Sequence, residues 1–484
     1  MARQAPANPL VAIIGATGTG KSQLAVEIAV RFNGEIVNGD AMQLYHGLPI
    51  ITNKISVEER RGIPHHLLGC IGLEEQTWTV TSFVSKALKV IDEIRSRGKL
   101  PIVVGGTHYY IQALLFKGAL VRDGQNQSQS GESLQDMPKR WPVLEESTEK
   151  MLEKLHEVDP IMANRWHPND RRKIQRSLEI YLETGKKASD IYEEQKPRRQ
   201  VSPFSDQDFS NASIEKEPST TSRVRFSTLI FWIHASQDIL RDRLDNRVDA
   251  MLKAGLLKEI DDLEAFLQAQ VQAGETVDQS KGIWVSIGYK EFKRHRQSRQ
   301  QGNMDSLALS KLYTEAVEQT KAATRQYAKR QVRWIRSKLL SALIDAEAKD
   351  YLMPLDGTDP KLWNVKVEGP ATDLTKRFLA GVALPNPTQV SDVAEELLKL
   401  KEQDGSSASK HLWMKKTCDV CNVTGTTESQ WTQHIKSRAH RKAVSKSNAR
   451  EYASVSRTTT DPVSCRKIQE KNSTQLEDFT AVVK

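Results

Sequence analysis

Short apolar runs alternate along the chain with longer stretches in which apolar residues recur at helical spacing. The first run, residues 10–14, ends in glycine in the manner of a buried parallel strand, and a helical pattern follows over 21–32. Further apolar runs lie at 35–38, 101–104 and 227–234, and helical spacing extends over 79–97. Strands that alternate with helices predict an α/β core built on a parallel sheet.

The composition changes several times beyond this core. Residues 144–195 and 239–345 are predicted to be mostly helical, and 390–400 has the pattern of an amphipathic helix. Polar composition predicts loop insertions without a packed core at 122–140 and 198–223. We therefore predict a first part of the core at 1–121, a helical insertion with flanking loops at 122–223, and completion of the core with a further helical region at 224–384. A helix and linker at 385–410, a small module at 411–445 and a disordered tail at 446–484 are predicted to follow.

The length and the cysteine content exclude several classes of protein. A chain of 484 residues is long enough for two to four domains, and no apolar run approaches the length of a membrane span. Four cysteines are too few for a disulfide framework. The first residues resemble neither a secretory signal nor a transit peptide, so we expect a reducing compartment, cytosol or nucleus.

The net charge of +9 is concentrated in two places. Residues 410–450 contain nine Lys and Arg side chains against two acidic ones, whereas residues 1–409 together carry only +2. Within that nearly neutral part, residues 325–338 hold six cations and no acid, interleaved with Tyr327 and Trp334. Localised basic runs with aromatic residues are typical of nucleic-acid contacts, and a charged helix with inward aromatic residues is the alternative.

A phosphate-binding loop follows the first strand. Residues 15–22 fit the pattern G-x-x-x-x-G-K-[ST] between a predicted strand and a predicted helix, which is the context that this motif requires. The backbone N–H groups of such a loop surround phosphate oxygens, the lysine neutralises a terminal phosphate and the hydroxyl binds Mg²⁺. The residues assigned to these roles are Gly15, Ala16, Thr17, Gly18, Thr19, Gly20, Lys21 and Ser22. The loop alone leaves open whether the diphosphate belongs to ATP or to another substrate.

A single carboxylate, Asp40, follows the second predicted strand. Ligands of open α/β sheets bind beyond the carboxyl ends of the strands, which is where this residue is expected to lie. Asp40 is therefore a candidate metal-shell residue or general base, and a solvated loop residue is the alternative.

The small module contains the spacing of a zinc finger. Cys418, Cys421, His434 and His440 stand as C-x₂-C-x₁₂-H-x₅-H, which predicts a tetrahedral Zn²⁺ site on a ββα finger. Four protein ligands leave no open coordination position, so the zinc is expected to be structural, and a finger of this size folds only with metal. The basic residues around it favour phosphate contact over protein binding.

Further motifs occur in a fixed order along the chain. They are Asp-Ala-Met-Gln-Leu-Tyr at 40–45, Gly-Gly-Thr-His-Tyr-Tyr at 105–110, and the segments at 168–179, 241–251, 282–291 and 324–335. Together with the phosphate loop, this ordered set resembles the tRNA dimethylallyltransferases, also called tRNA isopentenyltransferases, over roughly residues 10–340. The chain departs from the family at Ala41, where Ser is usual, and at Val285, where Gln is usual. The C-terminal finger resembles that of the eukaryotic members.

The resemblance implies a reaction and a set of residues. Members of the family transfer a dimethylallyl group from dimethylallyl diphosphate to N6 of the adenosine that follows the anticodon in tRNA. The phosphate loop would then hold the isoprenoid diphosphate with Mg²⁺, and Asp40 would be the general base for N6. The catalytic candidates are Asp40, Thr19, Lys21, Arg241 and Arg247. Without the resemblance, the two arginines would be assigned to a solvated, salt-bridged helix face.

The resemblance also implies the contacts with the tRNA. The adenosine has to leave the stack of the anticodon loop to reach Asp40, and the helical insertion is expected to grip the anticodon arm. The residues implied to bind tRNA are Asp40, Ala41, Met42, Gln43, Thr107, Arg172, Gln175, Arg176, Arg325, Gln326, Tyr327, Lys329 and Arg330. We expect a monomer in the cytoplasm, with nuclear and mitochondrial fractions.

Three other functions remain open at this point. A P-loop small-molecule kinase would use the same loop for ATP, and an adenylate isopentenyltransferase would prenylate a free nucleotide on a similar core. A non-catalytic RNA-binding protein could be built around the finger and a degenerate loop. The finger and the helical insertion argue against the adenylate enzyme, which needs no RNA grip.

Overall fold

The computed structural model describes residues 5–117, 141–194, 224–302, 304–399 and 415–447. The chain divides into two compact units, one formed by Met1–Gln125 with Val201–Glu402 and the other by Asn126–Gln200 with Gln403–Lys484. The predicted loop at 122–140 lies outside the described residues, as do the loop at 198–223 and the linker after residue 399.

The core of the first unit is a sheet of six parallel strands. They are β1 (Pro9–Gly15), β2 (Gly34–Asn38), β3 (His65–His66), β4 (Leu100–Val104), β5 (Ser227–His234) and β6 (Leu352–Asp356), in the spatial order β3-β2-β4-β1-β5-β6. Alternate side chains of β1 enter two separate apolar layers, Ile13 on one face and Ile14 on the other. Burial on both faces explains why these strands are continuously apolar, and the predicted α/β fold is confirmed.

Three helices flank the first half of the sheet, namely α1 (Lys21–Arg31), α2 (Val80–Ser96) and α3 (His108–Leu115). Leu24 and Ile28 of α1 pack into one apolar layer, while Phe83 and Ala87 of α2 pack into the other. The hydroxyl of Thr79 accepts a hydrogen bond from the Ser82 N–H and so caps α2. These helices agree with the predicted patterns at 21–32 and 79–97.

The insertion in the second unit is helical, as predicted for 144–195. Its helices are α4 (Thr148–Val158), α5 (Pro160–Arg165), α6 (Arg171–Thr184) and α7 (Ala188–Glu194). The buried Asp159 links two of them, because its carboxylate accepts from the Met162 N–H at 3.1 Å and from the Ser189 N–H at 2.8 Å. One capping residue therefore sets both the start of α5 and the position of α7.

The second half of the first unit is mostly helical up to residue 345, in agreement with the pattern at 239–345. It contains α8 (Gln237–Ala254), α9 (Leu256–Gln272), α10 (Lys293–Gln301), α11 (Ser306–Trp334), which continues through a π-helical turn (Ile335–Leu339), and α12 (Leu340–Asp345). After β6 come a second π-helical turn (Asn364–Glu368), α13 (Gly369–Leu379) and α14 (Ala394–Leu398). Among the described residues, none of the helices combines the length and apolar character that would let it cross a membrane.

Two sequence expectations differ from the structure in this region. The helix expected over 390–400 is only the five residues of α14, because Ser391 donates to the Pro354 carbonyl oxygen at 2.9 Å and holds the preceding turn against β6. The strand β6 was not predicted from the sequence, and it contains Pro354, a residue that disfavours a central strand. It lies at the edge of the sheet, where a missing N–H is tolerated.

The zinc-finger module has the predicted ββα order. Strands β7 (Lys416–Thr417) and β8 (Thr424–Gly425) form an antiparallel pair, and α15 (Glu428–Ile435) follows. Residues 438–447 are also helical, so residues 446 and 447, predicted to belong to a disordered tail, are part of a helix; the rest of the predicted tail lies outside the described residues.

Candidate active site

The phosphate loop closes on itself through two side chains. The buried Thr19 hydroxyl donates to the Ala16 carbonyl oxygen at 2.9 Å, and the Lys21 ammonium donates to the same oxygen at 2.7 Å. Thr19 therefore shapes the loop from inside, whereas the Ser22 side chain is exposed in the first turn of α1. Gly20 has φ +90, and a Cβ atom there would stand 2.5 Å from the Trp363 ring, so this position requires glycine.

Gln331, a buried residue of α11 that was not predicted as a site residue, joins two parts of the site. Its Oε1 accepts from the Thr17 N–H at 2.7 Å, and its Nε2 donates to the Gly106 carbonyl oxygen at 2.9 Å. One amide thus ties the phosphate loop to the loop after β4. One sequence signal for Gln331 was available: it stands four residues after Tyr327, a predicted tRNA-binding residue, and so lies on the same face of the helix.

Hydrogen bonds with the neighbouring residues Asn38 and Met42 hold Asp40 in place at the end of β2. The Asp40 N–H donates to Asn38 Oδ1 at 3.0 Å, Asn38 Nδ2 donates to the Asp40 carbonyl oxygen at 3.0 Å, and the Met42 N–H donates to Asp40 Oδ1 at 3.0 Å. Burial raises the pKa of Asp40, while the N–H of Met42 and the charge of Lys21 oppose the rise. The carboxylate is therefore fixed in orientation and more basic than an exposed aspartate.

Two cations share this environment with Asp40. Burial lowers the pKa of Lys21 to about 8, and the negative charge of Asp40 opposes that change. Burial likewise lowers the pKa of Arg247, on α8, to about 10, again opposed by Asp40. Three of the five predicted catalytic residues, Lys21, Asp40 and Arg247, thus form one interacting set of charges. We call these three residues together with the phosphate loop the crevice.

The loop after β4 contacts both sides of the crevice. Thr107 Oγ1 accepts from the Ala41 N–H at 3.0 Å, which joins two predicted tRNA-binding residues. His108 was not predicted; its Nε2 accepts from the Gly15 N–H at 3.4 Å, and burial lowers its pKa to about 3. A neutral imidazole therefore supports the phosphate loop without adding charge.

Gly106 lies in the loop after β4, where this loop, α11 and Asp40 approach one another closely. A Cβ atom there would stand 2.5 Å from Gln331 Nε2 and 2.8 Å from Asp40 Oδ2. The Tyr327 hydroxyl donates to the Gly106 carbonyl oxygen at 3.4 Å, and burial, followed by the charge of Asp40, raises the pKa of Tyr327. Tyr327 is therefore a neutral wall residue of the crevice, and a side chain at position 106 would displace the ends of Gln331 and Asp40.

Several predicted residues lie outside this set of contacts. Arg241 is exposed on α8 and pairs with none of the described residues, whereas its neighbour Arg243 donates to the carbonyl oxygens of Gly357 at 2.9 Å and Thr358 at 2.6 Å. Arg325 forms an ion pair with Asp245, and the amide of Gln43 donates to the Asn53 carbonyl oxygen at 2.9 Å. The exposed predicted residues of α11 are Gln326, Lys329 and Arg330, and Met42 is partly buried beside Asp40.

The predicted tRNA-binding residues of the insertion lie on α6. Gln175 Nε2 donates to Glu179 at 3.0 Å and Arg176 pairs with the same carboxylate at 3.1 Å, whereas Arg172 is exposed. Two of these three polar groups are thus engaged within their own helix, which leaves Arg172 as the one directed to solvent.

The four predicted zinc ligands converge. One ligand atom from each of Cys418, Cys421, His434 and His440 lies within 4.8 Å of all the others. The Nε2 atom of His434 is buried without a hydrogen-bond partner among the described residues, as expected for a nitrogen whose partner is a metal ion. The residues therefore fit a structural Zn²⁺ site.

A phosphate loop between the first strand and first helix of a parallel sheet, facing a fixed carboxylate, defines the class of P-loop α/β enzymes. The sequence profile of the IPP transferase family matches residues 43–338, and that of a zinc finger of C2H2 type matches residues 416–440. The chain belongs to the IPP transferase family. The family and the class of enzyme predicted from the motifs, a prenyltransferase, are confirmed.

Individual relatives cover nearly the whole chain. The tRNA dimethylallyltransferase of Schizosaccharomyces pombe is 34% identical over 452 residues, which is 91% of this chain and 96% of the relative. The human tRNA dimethylallyltransferase is 35% identical over 434 residues, covering 89% of this chain and 85% of the relative. A crystal structure of a eukaryotic dimethylallyltransferase acting on tRNA has a TM-score of 0.69 and 33% identity, and the match covers 94% of this chain and all of that one.

Proposed function

We propose that this chain transfers a dimethylallyl group from dimethylallyl diphosphate to N6 of the adenosine that directly follows the anticodon in tRNA. The observation that carries the proposal is the position of Asp40 near the phosphate loop, at the end of β2, where Lys21 and Asp40 each influence the other's pKa. A base and a diphosphate-binding cation in one site are the two groups that N-prenylation requires.

The diphosphate is assigned to the phosphate loop. Lys21 and Arg247 supply positive charge for the oxygens of the leaving group, and the N–H groups of the loop supply hydrogen bonds. The Thr17 N–H already donates to Gln331 and the Gly15 N–H to His108, so the remaining N–H groups carry this role.

Mg²⁺ is assigned to Ser22 together with the diphosphate. The Ser22 hydroxyl is exposed and makes no hydrogen bond with the described residues, and Mg²⁺ in such sites takes few protein ligands besides phosphate oxygens and water. When bound, the ion would neutralise charge on the diphosphate.

Asp40 is assigned to the proton on N6. The lone pair of this amine is delocalised into the adenine ring, so attack on the allylic carbon needs a base that removes a proton as the new bond forms. The C–N bond forms, the allylic C–O bond breaks, pyrophosphate leaves with the electron pair, and the N6 proton passes to the Asp40 carboxylate. The raised pKa of Asp40 suits it to accept that proton.

The RNA contacts are assigned to exposed cations outside the crevice. Lys329 and Arg330 on α11, Arg172 on α6 and the basic residues of the finger face solvent. Such cations neutralise RNA phosphates and make binding depend on salt. The structural zinc would keep the finger folded and takes no part in the transfer.

One experiment separates this function from its alternatives. The protein is incubated with Mg²⁺ and an anticodon stem-loop that carries the target adenosine, with dimethylallyl diphosphate or ATP as the donor, and AMP replaces the RNA in a parallel reaction. We expect N6-prenyladenosine in the stem-loop only, detected by mass spectrometry of the nucleosides. Phosphoryl transfer from ATP would support a kinase instead, and prenylation of AMP alone would support the adenylate enzyme.

A further inference from the structure

An exposed aromatic pair is formed by one residue of α3 and one residue of α11. Tyr109, at the start of α3, is 44% exposed although it is a large aromatic residue. Its ring meets the half-buried Trp334 ring edge to face, with centroids 5.8 Å apart and an angle of 66°. The indole N–H of Trp334 donates to Gln112 Oε1 at 2.9 Å, which fixes the Trp334 ring against α3. We call Tyr109 with Trp334 the aromatic ledge.

The position of the ledge follows from its neighbours in the chain. Tyr109 stands two residues after Thr107, whose hydroxyl binds the Ala41 N–H beside Asp40. Trp334 stands three residues after Gln331, whose amide binds the Gly106 carbonyl oxygen. Both residues of the ledge therefore continue elements that form the wall of the crevice.

The segment of α11 that carries Trp334 is basic. Lys329, Arg330 and Arg333 are exposed on the last turns of α11 and form no ion pair with any of the described residues. Residues 325–338 contain no acidic side chain. An aromatic surface next to unpaired cations suits a flexible nucleic acid, which offers base faces and phosphates together, better than an apolar ligand.

We propose that Tyr109 and Trp334 stack on an unpaired base of the anticodon loop next to the extruded adenosine, while Arg330 and Arg333 contact its backbone. The inference rests on the function proposed above and specifies how the same site holds its RNA. Extruding one base leaves its neighbours without a stacking partner, and an aromatic face restores part of the lost stacking. Tyr109 is thus a positioning residue for the RNA, whereas Asp40 acts on the reacting nitrogen.

The test compares Tyr109→Ala with Tyr109→Phe, which keeps the ring, and with Leu307→Ala. Leu307 is 81% exposed on the same helix as Trp334, about 40 Å away along its axis, and is the matched control. We expect Tyr109→Ala to raise the KM for the stem-loop about tenfold, as expected for the loss of one aromatic stacking contact. The kcat and the KM for dimethylallyl diphosphate should stay within about twofold, and both other variants should match the wild type.

A second readout reports on stacking itself. A stem-loop with 2-aminopurine beside the target adenosine should fluoresce less when bound to the wild type or Tyr109→Phe than when bound to Tyr109→Ala. Equal fluorescence in all three complexes, or an unchanged KM of Tyr109→Ala for the stem-loop, would overturn the proposed role of the aromatic ledge. A rise in the KM for dimethylallyl diphosphate alone would overturn it as well and assign the ring to the isoprenoid. If the wild-type protein makes no prenylated product, the proposed function fails, and stem-loop affinity with the fluorescence still decides on the ledge.

Discussion

The crevice and the zinc finger hold their charges in opposite ways. In the crevice, Lys21, Asp40 and Arg247 are partly buried, and burial is the largest influence on the pKa of each. In the finger, the cations are exposed; they are Lys416, Lys436, Arg438, Arg441, Lys442 and Lys446. The first region has few charges in a poorly solvated place, and the second has many in solvent.

This difference separates two tasks. Charges that are shielded from water interact strongly and respond little to salt, so they are suited to a proton transfer and to a developing anion. Exposed charges are screened within about 10 Å at ordinary ionic strength, so they suit a reversible hold on RNA phosphates. Changes to the charged residues of the crevice should therefore alter the chemical step or the binding of the diphosphate, and changes to the charged residues of the finger should alter the affinity for RNA.

The largest effect is expected from Asp40→Asn. Without a carboxylate to accept the N6 proton, kcat should fall by about 10²- to 10⁴-fold, the usual contribution of a general base. The affinity for the stem-loop should stay near that of the wild type, and Asp262→Asn, an exposed site on α9, should change neither. Stem-loop binding is measured by fluorescence anisotropy and kcat by incorporation of labelled dimethylallyl groups. An unchanged kcat would remove Asp40 as the base.

The pH dependence should show both ionisable groups of the crevice. Lys21 is cationic only below its pKa of about 8, so kcat/KM for dimethylallyl diphosphate should fall about tenfold per pH unit above that value. Asp40 has to be ionised, so its raised pKa places a second decline on the acidic side. Lys21→Arg should remove the alkaline decline, because guanidinium stays charged. A decline at the same pH in that variant would assign it to another group.

Gln331→Ala tests whether the two loops of the crevice act together. The substitution leaves the Thr17 N–H and the Gly106 carbonyl oxygen without their partner, at about 1–3 kcal/mol for each buried group. We expect the KM for dimethylallyl diphosphate to rise about tenfold, together with a lower Tm, since about 1.4 kcal/mol corresponds to a factor of ten. Gln301→Ala, exposed at the end of α10, is the control. A lower Tm with an unchanged KM would make Gln331 a purely structural residue.

Cys418→Ser tests the other region. Loss of a zinc ligand should unfold the finger and raise the KM for the stem-loop several-fold, with kcat at saturating RNA unchanged. Cys70→Ser, which changes an exposed cysteine outside the finger, should behave as the wild type. Loss of kcat at saturation would show that the finger takes part in the chemistry and would end the separation of tasks.

The smallest effect is expected from single cations of the finger. Lys442→Ala should weaken stem-loop binding a few-fold and lower the slope of log Kd against log salt by about one, since one phosphate contact is lost. The measurement is a salt titration of binding by anisotropy. Lys281→Ala, an exposed cation paired with Asp278 in the first unit, should leave the slope unchanged. An unchanged slope in Lys442→Ala would remove that side chain from the RNA contact.

The sequence predicted those features that depend on local pattern. The phosphate loop, the parallel strands β1, β2, β4 and β5 and the spacing of the zinc ligands all follow from residues near one another in the chain, whereas the two-residue strand β3 and the edge strand β6 were not predicted. Gln331 could not be assigned, because its role depends on contacts with Thr17 and Gly106, more than two hundred residues away. Neither could Arg325, whose positive charge is paired with Asp245 across two helices. Long-range polar contacts, which leave no periodic pattern, account for these differences.

The most direct test of the separation between the two regions is a single measurement, the salt dependence of prenylation of the anticodon stem-loop under single-turnover conditions. Between about 50 and 300 mM salt the screening length changes by about 2.4-fold, and the rate constant at saturating enzyme should stay constant. The enzyme concentration that gives half the maximal rate should rise steeply, as expected for the loss of phosphate contacts with exposed cations. A rate constant that falls as steeply as the affinity would contradict the account, because the charges that carry the chemistry would then be as exposed to solvent as those that hold the RNA.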